Sequence, residues 1–169
     1  PAFALLAVVP AVGFFWLLQH FVDGTFSDEG TLEYSLAWVP EIQLYIDLRI
    51  DALSALFGLI ITGVGALVML YCWGYFTSTT RRLAMFAGQM MAFATVMMGL
   101  VASDNFLLLY IFWEATSILS FLLVSYYGER ASSRRAAGQA LMVTVLGGLT
   151  MLVGIVLLGQ TTGTWRFSE

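Results

Sequence analysis

Apolar residues in this chain come in five long runs, and the polar residues gather between them. The runs cover residues 2–22, 51–75, 83–102, 105–127 and 138–160. Each is long enough to cross the hydrocarbon core of a bilayer, which takes about 20 residues of helix. Backbone polar groups find no water there, so an uninterrupted apolar run of that length reads as a helix. Residues 23–50 have a different rhythm. Leu32, Tyr34, Leu36 and Trp38 alternate with other residues, as do Ile42, Leu44, Ile46 and Leu48, on either side of Val39-Pro40-Glu41. A period of two on both sides of a proline turn predicts a β-hairpin over about 31–49. The fold class is therefore all-α and integral to the membrane: five transmembrane helices with a short β-hairpin between the first two.

Composition agrees. The chain is 60% hydrophobic and 11% charged, where a soluble domain carries about 25% charged residues. The charges are sorted by gap. Arg81, Arg82, Arg130, Arg134 and Arg135 fall on one side of a five-span arrangement, and only Arg49 and Arg166 on the other. The positive-inside rule makes loops 76–82 and 128–137 cytoplasmic and the acidic hairpin region external. Small residues recur at helical spacing on Asp51/Ser54/Gly58/Thr62/Gly65, on Gly88/Ala92/Thr95/Gly99 and on Thr144/Gly147/Gly148/Met151/Gly154, which reads as helix-packing seams. A cation route along the first of these is the other reading. Asp51 is placed to cap the second helix. Tyr71, Trp73 and Tyr75 form an aromatic belt at its far end.

Several classes of chemistry have no basis here. The lone Cys72 makes neither a disulfide nor a thiolate metal site, and the lone His20 lacks companion ligands, so no metal and no cofactor is expected. There is no phosphate-binding loop, dinucleotide fingerprint or nucleophile–base pair, so the chain does not read as an enzyme. Its few arginines sit beside the membrane spans, which argues against nucleic acid as a partner. The chain starts at Pro1 directly in an apolar run, without a basic segment or cleavage site. It is therefore expected to start in a membrane span rather than a leader, and to be a piece of a longer polypeptide.

One residue breaks the pattern. Glu114 lies near the middle of the fourth run, where an acid costs at least about 2.5 kcal/mol. At 100° per residue, Ser103, Tyr110, Ser117 and Ser125 share its side of the helix, and Phe112, Leu119 and Leu123 lie opposite. Two readings fit this stripe. Glu114 is a proton relay, with Tyr110 and Ser117 as weaker members of the path, or it is a hydrogen-bonded acid that ties two helices together.

The stretches LRIDALSALFGLIITGVGALV, SDNFLLLYIFWEATSILSFLLVSY and AAGQALMVTVLGGLTMLVGIVLL resemble, in order, the antiporter-like subunits shared by respiratory complex I and Mrp-type cation/proton antiporters. The central one carries the family's signature through Asp104, Asn105, Trp113, Glu114, Thr116, Ser117, Ser120 and Phe121. The W-V-P stretch, the ITG-x-G run and the tail look closest to the large-subunit branch of the Mrp type. The resemblance implies that residues 1–169 are part of a proton-antiporter-type membrane domain, five helices of a larger antiporter-like bundle. It implies a multi-pass subunit in a bacterial inner membrane. It further implies Na+/H+ exchange, other Mrp subunits as partners, and H+ with Na+ or another monovalent cation as cargo. In that family the signature glutamate pairs with a lysine on a later helix, and this chain has no lysine. The alternatives are the corresponding proton-pumping subunit of complex I or a membrane-bound hydrogenase, and a non-transporting scaffold.

Overall fold

A computed structural model describes residues 2–26, 30–39, 41, 44–76, 83–127 and 131–168. The five apolar runs are helices: α1 Ala2–Val22, α2 Ala52–Tyr75, α3 Leu83–Ala102, α4 Phe106–Val124 and α5 Ala131–Thr162. Between α1 and α2 stands the antiparallel hairpin, β1 Leu32–Val39 and β2 Leu44–Ile50. Pro40 of the expected turn, Ile42 of the expected second strand, residues 77–82 with Arg81 and Arg82, and Arg130 lie outside the described residues. Helix α5 starts well before the apolar run at 138. Arg134, Arg135, Ala136 and Ala137 are good helix formers, so the helix extends through a polar stretch that hydropathy does not register. It ends at Gly163, whose φ of 77° closes a turn with its N–H on the Gly159 carbonyl at 3.0 Å.

The chain divides into two compact units, residues 1–32 with 50–101 and residues 33–49 with 102–169. The first holds α1, α2 and α3. Phe3 and Ala7 of α1 pack on Met69 and Cys72 of α2 and Ala87 of α3, with the rings of Phe3, Phe76 and Phe86 closing that end. The beginning of α1 thus meets the end of α2 and the beginning of α3, so neighbouring helices run antiparallel. At the other end, Asp51 caps α2 by accepting the Ser54 N–H at 2.8 Å. The seam on α2 is a packing surface. A side chain at Gly58 would lie 2.9 Å from Leu17 Cδ1 and 3.1 Å from Met98 Cε, and one at Gly65 would touch Pro10 and Ala94. The Thr62 hydroxyl donates back to the Gly58 carbonyl at 2.6 Å. The aromatic side chains Tyr71, Trp73 and Tyr75 are exposed at the far end of α2, and Tyr71 stacks on Tyr75.

The second unit is built on α4 and α5, which pack along one side. The buried or half-buried line on α5 runs through Ala137, Leu141, Val145, Gly148, Leu152, Ile155 and Gly159. Of the expected small-residue face, Gly148 is on this line, whereas Gly147 and Gly154 meet nothing within 4 Å. The expected face Thr144/Gly147/Gly148/Met151/Gly154 lies about one residue off this line, because several registers of small residues overlap on α5. In none of the five helices is more than 17% of the span buried. Leu5, Val12, Phe15, Ile60, Leu67, Met142, Leu146 and Val153 are among the large apolar side chains left exposed, as in a multi-pass membrane protein.

Replacing Gly58 by leucine is expected to destabilise the first unit by about 1–3 kcal/mol through overpacking against Leu17 and Met98. Unfolding in detergent of Gly58→Leu against Gly88→Leu checks this. Gly88 has open space around its Cα, so its variant should unfold near wild type.

Candidate functional site

The site is built from the start of α4 inward. Asn105 is the N-cap, 1% exposed, and its side-chain oxygen accepts the N–H groups of Leu107 at 3.0 Å and Leu108 at 3.2 Å. The residues leading into the cap extend the hairpin sheet. Leu48 bridges Ser103, and the Asp104 N–H donates to the Asp47 carbonyl at 2.9 Å. On their other side Asn105 bridges Arg166, Phe106 N–H donates to the Trp165 carbonyl, and Phe167 N–H donates to the Asp104 carbonyl, both at 2.9 Å. Hairpin, helix start and the segment after α5 therefore share one backbone network.

An ion pair locks this network. The Arg166 guanidinium grips Asp47 with two bonds, Nε to Oδ2 at 3.1 Å and Nη2 to Oδ1 at 2.7 Å. Ser35 opposite on β1 donates to Asp47 Oδ1 at 2.5 Å. Asp47 is 2% exposed. Burial pushes its carboxyl upward, but the bonds from Arg166 and Ser35, the Arg166 charge and Asn105 outweigh that and hold it below the usual carboxylate range. A cavity of about 230 Å³ opens beside the pair, lined by Tyr45, Asn105, Thr164 and Trp165 among others. In the sequence, Asp47 is one acid of the acidic hairpin region, with no local sign of its partner. The available signal was that Arg166 is one of only two cations on the acidic side.

Glu114 is the ninth of nineteen residues in α4, about 12 Å along the helix from its start at 1.5 Å per residue. It faces α5 at Gly148. A Cβ there would collide with Glu114 Oε1 and lie 3.2 Å from its carboxyl carbon. Oε1 is buried and has no hydrogen-bond partner among the described residues. Tyr110, one turn earlier, is within electrostatic and hydrogen-bonding reach of Glu114. Ser117 is buried, but its hydroxyl donates to the Trp113 carbonyl at 3.2 Å. Ser125 likewise donates to Leu122, and Ser103 to Asn105. The structure thus brings Tyr110 to the carboxylate and spends the serine hydroxyls on nearby backbone. Gly148 was legible as a small residue but not as the neighbour of Glu114.

Among the described residues His20 contacts Trp16, with Nδ1 donating to the Trp16 carbonyl at 2.9 Å and its ring against the Trp16 indole. No group of three or more metal-ligating side chains occurs among the described residues.

Five helices long and apolar enough to cross a membrane, with a hairpin between the first two, define a multi-pass helical membrane protein, and comparison with known proteins identifies its family. Residues 37–87 match the family profile described as NADH-ubiquinone oxidoreductase (complex I), chain 5 N-terminus. Residues 103–169 match that described as NADH:quinone oxidoreductase/Mrp antiporter, TM. The chain belongs to this family of membrane subunits common to complex I and Mrp antiporters. Within the family it is similar to a Na(+)/H(+) antiporter subunit of Alkalihalophilus pseudofirmus, 40% identical over 158 residues, covering 94% of this chain and 19% of the relative. Among solved structures it resembles a chain of the Mrp complex from Dietzia sp., with a TM-score of 0.84 and 29% identity over 99% of this chain and 18% of that one. It also resembles a chain of respiratory complex I from Thermus thermophilus, with a TM-score of 0.79 and 25% identity over 98% of this chain and 33% of that one. The chain spans about a fifth of the length of the curated relatives it matches.

Arg166→Gln removes the partner of a buried carboxylate, and is expected to weaken the clamp by about 2–3 kcal/mol, less than for a fully buried pair because Arg166 is partly exposed. Amide exchange at Asp104 and Phe167 should accelerate by about 100-fold at neutral pH. The folded pKa of Asp47 is depressed, so its stabilisation is fully present above the unfolded value of about 3.9 and is lost as pH falls through the folded value. Protection in the wild type should therefore hold between pH 7 and 5 and decline only in stronger acid. A decline already at pH 6 would contradict this.

Proposed function

We propose that residues 1–169 form part of the membrane domain of a multisubunit Mrp-type antiporter that exchanges Na+ or another monovalent cation for H+, with Glu114 as a proton-relay carboxylate. The observation that carries the reading is the Glu114 carboxylate itself, at midspan with a buried, unpartnered oxygen. An acid in hydrocarbon is costly, and an unpaired oxygen adds to the cost. Such a group is suited to exchanging a proton with neighbours rather than to fixing two helices by a completed hydrogen bond. Tyr110 supplies an adjacent hydroxyl. Ser117 has the weaker role, because its hydroxyl is already committed to Trp113. In this reading the protein is a transporter component rather than an enzyme. It sits among other subunits in a bacterial plasma membrane, with loops 76–82 and 128–137 cytoplasmic and the hairpin external. The lysine that pairs with the signature glutamate in the family resemblance has no counterpart in this chain, which has no lysine.

The likeness to a complex I chain supports a second reading, a redox-linked proton pump that uses the same helix. Sodium-dependent proton exchange in everted vesicles carrying the complete complex separates the two. Glu114→Gln is expected to abolish exchange while assembly persists. Undiminished exchange would make the acid structural, and absence of sodium exchange in the wild type would favour the pump.

A further inference from the structure

We propose that Gly148 is a positioning residue for Glu114: its missing side chain forms the niche on α5 into which the carboxylate is set. The inference rests on the relay reading of Glu114 and adds the residue that fixes where the carboxyl group stands. Three observations carry it. First, the contact is specific. Gly147 and Gly154 on the same helix meet nothing within 4 Å, and Gly159 accommodates the Trp165 indole, while Gly148 meets the Glu114 carboxyl group. Second, the obstruction would fall on the functional atoms. A Cβ at 148 would overlap Oε1 and crowd the carboxyl carbon at 3.2 Å, yet stand at an ordinary 3.8 Å from Trp113 Cδ1. An added methyl group therefore displaces the acid and leaves the rest of the α4–α5 contact intact. Third, the oxygen in the niche, Oε1, is buried and has no hydrogen-bond partner among the described residues, so the shape of the niche contributes to where it stands.

Glycine is a poor choice for the middle of a helix, because alanine is the better helix former. Gly148→Ala should thus not weaken α5 itself, so a loss of activity comes through the carboxylate or through the α4–α5 packing, and a shorter acid tells these apart. A displacement of about 1 Å at a reacting group can cost up to about 100-fold in rate. A shorter acid changes the outcome. In Glu114→Asp the carboxyl group withdraws from α5 by about one carbon–carbon bond, roughly 1.5 Å, and clears the new methyl group.

The test measures exchange in the complete, assembled complex for Glu114→Gln, Gly148→Ala, Glu114→Asp and the Glu114→Asp/Gly148→Ala pair. The carboxyl infrared band that Glu114→Gln removes is followed in Gly148→Ala. Expected are a loss of about 10- to 100-fold in Gly148→Ala with normal assembly, a shifted carboxyl band, and partial recovery in the pair above Gly148→Ala alone. Wild-type exchange and an unmoved band in Gly148→Ala, with Glu114→Gln inactive, would overturn the positioning role and leave the relay reading standing. A pair no more active than Gly148→Ala would also overturn it, because the loss would then come from helix packing. Full activity in Glu114→Gln would remove the relay reading on which the inference rests.

Discussion

A helix in hydrocarbon has to satisfy its own polar groups, and this constraint sorts the side chains of the chain. The hydroxyls obey it by turning back on their own backbone. Thr62 bonds Gly58, Thr95 bonds Met91, Thr116 and Ser117 bond Trp113, and Thr150 bonds Leu146. Each hydroxyl donor is thereby used up without help from another helix. A carboxylate offers no hydrogen to its own helix and cannot follow that route. Glu114 is left with a buried oxygen that the described residues do not satisfy, and the amide oxygen of Gln89 on α3 is in the same state. The distinction between the serines of the polar stripe and the acid at its centre therefore follows from hydrogen-bond inventory.

Outside the spans the same need is met by strand pairing. The backbone entering α4 bonds β2 on one side and the segment after α5 on the other, and the Asn105 side chain takes up two of the free N–H groups at the helix start. Arg166 and Asp47 add charge to a junction that the backbone already defines. Because the pair is bidentate and one member is almost fully buried, it sets geometry as well as adding stability. The start of α4 and the end of α5 are fixed by this junction, and the packing line of α5 carries that registration inward to Gly148.

The helices were legible in the sequence because length and hydropathy suffice to identify a span, and the hairpin because a period of two cannot be mistaken for a helix. What was not legible depends on rotation and on long-range contact. Small residues on α5 occur in several overlapping registers, so the pattern alone could not say whether Gly147, Gly148 or Gly154 meets α4. Asp47 and Arg166 lie 119 residues apart, and nothing local to either predicts the other. The first seven residues of α5 escaped for a different reason: they are helical by propensity yet too polar to register as part of a span.

The glycines of α5 and its C-terminal turn show how one residue type serves unrelated ends. Gly163 is required by its positive φ, where other residues are strained. Gly159 lets the Trp165 ring lie against the helix, with ring atoms 2.9 Å from where a Cβ would stand. Ala137, Gly148 and Gly159 are eleven residues apart, close to three helical turns, and all three are buried. These three positions lie on one line of α5, of which Gly148 meets α4 and Gly159 meets Trp165, while Met142, Val143, Leu149 and Leu157 remain exposed around it. At Gly148 alanine would gain helix propensity but would occupy the position of a carboxyl oxygen. The glycine is thus explained by the acid opposite it rather than by the helix that carries it.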